Sequence, residues 1–144
     1  MITVGSVLQE KGDRIWSVSP DAMVYDALTL MAEKNLGAVL VMDGARIAGI
    51  FSERDYARKV ALKGKSSRET PVREVMTQDV LFVRPGHSIE DCMALMTDKR
   101  IRHLPVMEGE RLMGVISIGD VVKAIISEHK FVIQQLESYI AGGR

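Results

Sequence analysis

Gly49-Ile50-Phe51-Ser52-Glu53-Arg54-Asp55 returns later in the chain as Gly114-Val115-Ile116-Ser117-Ile118-Gly119-Asp120. The offset is 65 residues, and it holds well beyond the two quoted stretches. It aligns Val18-Ser19-Pro20 with Val83-Arg84-Pro85, Asp26 with Asp91, Leu30-Met31 with Leu95-Met96, and Lys34 with Lys99. It also aligns Val41-Met42 with Val106-Met107, Gly44 with Gly109, and Arg46 with Arg111. No gap is needed between Trp16–Tyr56 and Leu81–Val121. Identities at turns and strand ends, all in one register, mark a tandem duplication.

Each copy reads as the same succession of elements. A short strand, Ile15 to Val18, precedes a helix whose apolar residues Val24, Ala27, Leu28 and Met31 follow the i, i+3, i+4, i+7 spacing of one buried face. Gly37 to Met42 is a short apolar run bounded by turn residues, hence a buried strand. Asp43-Gly44 turns it back as a hairpin, because glycine supplies the positive φ that a two-residue turn requires. Arg46 to Phe51 is the returning strand, and Glu53 to Leu62 a helix closed by Gly64. The second copy gives strand Val80–Val83, helix Ile89–Arg100, strand His103–Met107, turn Glu108-Gly109-Glu110, strand Arg111–Ile116 and a final helix.

Polar Lys63 to Thr70 joins the copies. The final helix runs on to Tyr139 or Ile140, with Val122, Ile125, Ile126, Val132, Ile133, Leu136 and Ile140 along one side, before Gly142-Gly143. That apolar side packs either on its own domain or on a partner chain. The expected fold class is α/β (α+β), with repeats at 1–65 and 66–125 and a helical extension at 126–144.

Ser-x-x-Asp at the junction from strand to helix is, by itself, a relative of the capping box. A helix N-terminus also presents unpaired N–H groups and a partial positive charge, which favour phosphate. A carboxylate there can accept hydrogen bonds from two neighbouring hydroxyls, as a ribose offers. Cap and ligand readings do not compete.

These motifs, with Arg102-His103-Leu104-Pro105-Val106 and the leading segments Val7-Leu8 and Val75-Met76-Thr77, resemble the tandem CBS-domain pair, or Bateman module, over about residues 4–123. The resemblance implies paired βαββα units whose sheets face one another, binding adenine nucleotides or related adenosyl compounds in two clefts. It implies Asp55 and Asp120 as ribose-binding acids, with Ser52 and Ser117 beside ribose and phosphate. One pocket would combine Ile15, Trp16, Gly37, Ala38 and Val39 with Ser117 and Asp120. The other would combine Val80, Leu81, Arg102, His103, Leu104 and Pro105 with Ser52, Arg54 and Asp55. Only the latter gathers cations (Arg54, Arg102, and His103 or Arg58), and forked guanidinium donors suit phosphate. It is therefore expected to bind phosphorylated ligands more tightly. AMP, ADP, ATP, NAD and S-adenosylmethionine all fit this class, and no metal is required.

Composition excludes several alternatives. The chain has 144 residues, 47% hydrophobic and 26% charged, the balance of a folded globular protein. Lys plus Arg and Asp plus Glu are each 19, and neither half is basic, so the footprint of a general nucleic-acid binder is missing. Aromatic residues are only 5%, which argues against stacking platforms for single strands. The longest apolar run, Leu36 to Met42, stops at Asp43, far short of a membrane span. With neither that nor a basic-then-apolar leader, cytoplasmic residence is expected. Cys92 is the only cysteine, so no intramolecular disulfide or multi-thiolate metal cluster can form.

His87, Cys92 and His103 lack metal-ligand spacing. Gly64-Lys65-Ser66 fails as a phosphate-binding loop because Lys59 stands where its first glycine belongs. No catalytic residue is assigned, since the twofold hydroxyl–acid pattern shows no acid–base differentiation. The expected protein is a regulatory adenosyl-ligand binding module and a homodimer, signalling through conformational change to an effector protein or within the dimer. The alternatives are a nucleotide-handling enzyme using Arg54, His103 and Asp55, and a structural dimerisation protein with empty clefts.

Overall fold

The computed structural model describes residues 1–12 and 14–142. Two compact bodies share the chain unequally with the repeats. One is Arg14–Leu81; the other gathers the N-terminal segment with the chain from Phe82 onward.

In the first body, β1 (Ser17–Val18) pairs in parallel with β2 (Ala38–Asp43), which pairs antiparallel with β3 (Arg46–Ser52). The hairpin turns on Gly44 at φ +63, with Asp43 opposite Arg46. Helix α2 (Val24–Lys34) buries Val24, Ala27 and Met31, the face expected from their spacing. Its cap residue, Met23, supplies no side-chain bond; the carbonyls of Thr70 and Ser67 accept from Val24 and Tyr25 N–H instead. The linker is thus part of the body and acts as the cap of α2. These elements close on a core of Val24, Ala27, Met31, Val39, Val41, Phe51, Val60, Val72 and Val75.

The expected helix Glu53–Leu62 is α-helical only as α3 (Glu53–Asp55). It passes into a π-helical segment, Tyr56–Ala61, whose wider turn closes with Leu62 N–H donating to the Ala57 carbonyl. Gly64 ends it at φ +67, as expected. A 3-10 turn, Val72–Glu74, leads into Val75-Met76-Thr77, and Thr77 exchanges two backbone hydrogen bonds with Ile50 of β3. Gly49 is needed there. A Cβ at that position would lie 2.7 Å from both the Thr77 carbonyl oxygen and the Met76 sulfur.

The second body repeats the hairpin as β4 (His103–Glu108) and β5 (Arg111–Ser117), with Gly109 at φ +63. Both hairpins carry a register shift at the same place, between Val41 and Met42 and between Val106 and Met107. Helix α4 (Ile89–Lys99) buries Ile89, Cys92 and Met96. Helix α5 (Ile118–Gly142) is 25 residues long; of the two glycines expected to end it, Gly143 lies outside the described residues.

The strand expected at Val80–Val83 is reduced to a single bridge between Val83 and Val106. Val83 donates to the Pro105 carbonyl and accepts from Met107 N–H. The next rung, at residue 81, would need an N–H from Pro105, which proline lacks. In the first repeat Leu40 holds that place, and β1 forms.

An unexpected helix, α1 (Val4–Lys11), belongs to the second body. Thr3 caps it in reciprocal bonds with Ser6, and Val4 and Leu8 enter the core with Val83, Ile89, Cys92, Met96, Leu104, Val106, Ile116 and Val121. Leu8 lies over Gly114 as Met76 lies over Gly49. The segment leading into each repeat therefore packs in the body of the other.

Cys92 is fully buried, and desolvation pushes its thiol up to about 11. The native protein is expected to resist an aromatic disulfide reagent at pH 8 and to react at once in guanidinium. Rapid stoichiometric reaction without denaturant would contradict this burial.

Candidate functional site

Ser52 and Ser117 are the last residues of β3 and β5, and each opens a helix. The first helical amide is already bonded: Glu53 N–H donates to the Gly37 carbonyl (3.0 Å) and Ile118 N–H to that of Arg102 (2.8 Å). Ala38 lies opposite Ser52 in the ladder and His103 opposite Ser117. Within each body, then, the start of the first hairpin strand sits beside that body's own Ser-x-x-Asp.

The two acids differ in how fully they are engaged. Asp55 Oδ2 accepts from Ser52 N–H (3.0 Å) and from the Ser52 hydroxyl (3.0 Å). Its Oδ1 accepts from the Thr77 hydroxyl (2.9 Å) and is ion-paired with Lys59 Nζ (2.9 Å). With hydrogen bonds on both oxygens, an ammonium paired to one of them and a side chain only 8% exposed, Asp55 is engaged on both sides. Asp120 Oδ2 accepts from Ser117 N–H (2.8 Å) and Lys11 Nζ (2.6 Å), while among the described residues no donor lies on Oδ1. That side chain is 22% exposed. Burial raises the Asp120 pKa, but hydrogen bonds from Lys11 and Ser117 together with the Lys11 charge outweigh it, leaving the carboxyl below its ordinary value.

Lys11 also donates to the Val115 carbonyl (2.8 Å), fixing the ammonium beside the acid. It was not among the residues singled out from the sequence, nor was the Thr77 hydroxyl. The signal for Lys11 was present in Thr3-x-x-Ser6, in Val4, Val7 and Leu8 at helical spacing, and in Gly12 after Lys11.

The strand candidates divide by face. Val39 and Leu104 belong to the two cores, whereas Ala38 and Pro105, though buried, fall outside those clusters. Trp16 is half-buried, with Lys34 Nζ 4.4 Å and the Arg14 guanidinium carbon 5.7 Å from its ring centroid. Ile15 is half-buried, as are Gly37 and Val80, and Leu81 is exposed outside any strand. Arg54 is exposed in the first body and Arg102 in the second. Among the described residues no cluster of His, Cys, Asp and Glu could hold a metal ion. None of the described helices is long and apolar enough to cross a membrane.

The CBS-domain family profile matches residues 5–62 and 72–127, each copy with its strand–helix junction. The chain belongs to the CBS-domain family. Its relatives include the mitochondrial CBS domain-containing protein CBSX3 of Arabidopsis thaliana, 40% identical over 151 aligned residues that cover 98% of this chain and 73% of the relative. A solved CBS-domain structure from Burkholderia ambifaria is 53% identical, covering 87% of this chain and 94% of that one, with a TM-score of 0.84. A hexameric CBS-CP12 protein from bloom-forming cyanobacteria is 25% identical over 99% of this chain and 88% of its own, at a TM-score of 0.72. The tandem CBS pair thus accounts for the repeat, both hairpins and the paired Ser-x-x-Asp ends.

Proposed function

We propose that this CBS pair is a non-catalytic, cytoplasmic sensor of an adenine nucleotide that acts as a homo-oligomer on an effector protein. The observation that carries the reading is the twin Ser-x-x-Asp junction. Each places a carboxylate and a hydroxyl at a helix start, and among the described residues one carboxylate oxygen of Asp120 is open to a donor. A ribose hydroxyl is such a donor, and AMP, ADP, ATP, NAD and S-adenosylmethionine all carry one. Arg54, Arg102 and His103 supply donors for phosphate; Ile15, Trp16, Ala38, Val80, Leu81 and Pro105 supply apolar surface for a base. Gly37, Val39 and Leu104 complete the candidate set through backbone and packing. No metal enters the scheme. The hexameric state of the cyanobacterial relative supports assembly as part of the mechanism.

A melting-temperature panel with these five compounds at millimolar concentration tests the reading. A ligand at 100 times its Kd stabilises the folded state by about 2.7 kcal/mol, expected here as a rise of roughly 5–10 °C. No rise with any of them would favour a structural protein with empty clefts.

A further inference from the structure

Helix α5 leaves its own body after its first two turns. Val121 is buried and Ile118, Ala124 and Ile125 pack on the core, but every residue from His129 to Ile140 is exposed. An isolated helix of that length is marginal in water, and this one exposes Phe131, Ile133, Leu136 and Ile140 by 61, 52, 56 and 79%.

Its exposed residues fall in a heptad. Val122, Ile126, His129, Ile133, Leu136 and Ile140 are spaced 4, 3, 4, 3 and 4 apart. This is the spacing of a left-handed coiled-coil seam, the kind of face that suits a second helix. The flanks decide its orientation. One edge carries Lys123, Lys130 and Glu137; the other carries exposed Val132 and Tyr139, continuing from Ile125 where the helix still packs on its own body. Parallel copies would set the charged edge against the apolar one. Antiparallel copies set apolar edge on apolar edge and bring Lys123 beside Glu137 of the partner subunit, twice by symmetry.

We propose that α5 is the assembly helix and pairs antiparallel with the same helix of a second copy, centred near residue 131, with Ile126 against Leu136 and Val122 against Ile140 of the partner subunit. His129, the polar residue of the seam, packs against Ile133 of the partner subunit and fixes the register, since sliding the helices would bury it against a different layer. This names the surface for the oligomer proposed above, and the test separates the two claims.

The test is light scattering of the full chain at tens of micromolar. Wild type is expected as an even-numbered oligomer. Ile133→Asp and Leu136→Asp should each halve its mass or weaken association at least tenfold. Phe131→Asp, on the outer side of the helix, should leave the mass unchanged, although Phe131 is more exposed than Ile133. Lys123→Glu should weaken association, and adding Glu137→Lys should restore it. All these positions are exposed, and an unchanged melting temperature of the body checks folding. An oligomer that survives both seam variants would overturn the α5 interface while sparing oligomerisation. Equal loss with Phe131→Asp, or no rescue by the charge exchange, would overturn the antiparallel seam. A monomeric wild type would end both claims.

Discussion

Gly49→Ala is expected to cost about 3 kcal/mol, a large part of the 5–15 kcal/mol that holds a typical domain folded. The added Cβ would stand 2.7 Å from a backbone carbonyl, that of Thr77, and equally close to the Met76 sulfur. The sulfur can swing away. The carbonyl cannot, because the Ile50–Thr77 pair of hydrogen bonds holds it against β3. Gly114→Ala is the internal control: its nearest neighbour is Leu8 Cδ2 at 3.1 Å, the end of a flexible side chain. Its cost should stay below about 1 kcal/mol. Denaturant midpoints for the two variants compare these positions directly. Equal losses would mean that Val75-Met76-Thr77 does not lie against β3 as described.

The second large effect separates the two acids. Asp55→Ala is expected to cost about 3 kcal/mol, from loss of a helix cap, of the Lys59 ion pair and of the acceptor for the half-buried Ser52 and Thr77 hydroxyls. Asp120→Ala should cost nearer 1 kcal/mol, since its side chain is more exposed and Lys11 can turn to water. For ligand binding the order should reverse, because among the described residues Asp120 has an unengaged oxygen whereas Asp55 is held on both oxygens. This departs from the expectation that the arginine-bearing pocket dominates, which counted cations without knowing which carboxylate was occupied. Titration calorimetry on both variants, alongside denaturation, reads both orders. A larger binding loss from Asp55→Ala would restore the arginine-based ranking.

Acid titration of stability gives an independent check on Asp120. Its folded pKa lies below its unfolded value, so its contribution is fully present above the ordinary carboxylate value near 4. The contribution is lost as pH falls through the lowered folded value. Lys11→Met should remove much of that acid dependence; an unchanged profile would argue against the ion pair in solution.

Hairpins, α2 and α4 were legible in the sequence because what specifies them is local: a turn glycine, an apolar run, a helical face. The Ser-x-x-Asp ends were legible because duplication displayed them twice. Other features depend on residues far apart in the chain. Pro105 silences the strand at Val80–Val83 only because Val83 lies beside it. The linker caps α2 with carbonyls, which carry no residue signature. Lys11 is an ordinary surface lysine until α1 packs near β5, 104 residues from Val115. Engagement of both Asp55 oxygens needed Thr77, which lies ahead of the ungapped self-alignment and meets the acid 22 positions along the chain.

The crossing of the leading segments into opposite bodies sets an order for biosynthesis. Arg14–Leu81 is one continuous stretch, so its body can close as soon as residue 81 clears the ribosome. Helix α1 is made before that body but finds its partners only after it. Val4 and Leu8 must wait, exposed, until Val106 and Ile116 exist to receive them. Translation at about 5–20 residues per second makes that interval on the order of 5–20 s, much longer than a helix needs to form and fray. During it, nascent α1 offers a small apolar face to whatever surrounds the ribosome, and chaperone demand should be greatest then. Moving α1 to follow the C-terminus of a circularly permuted chain would shorten that exposure and should raise the yield of soluble protein.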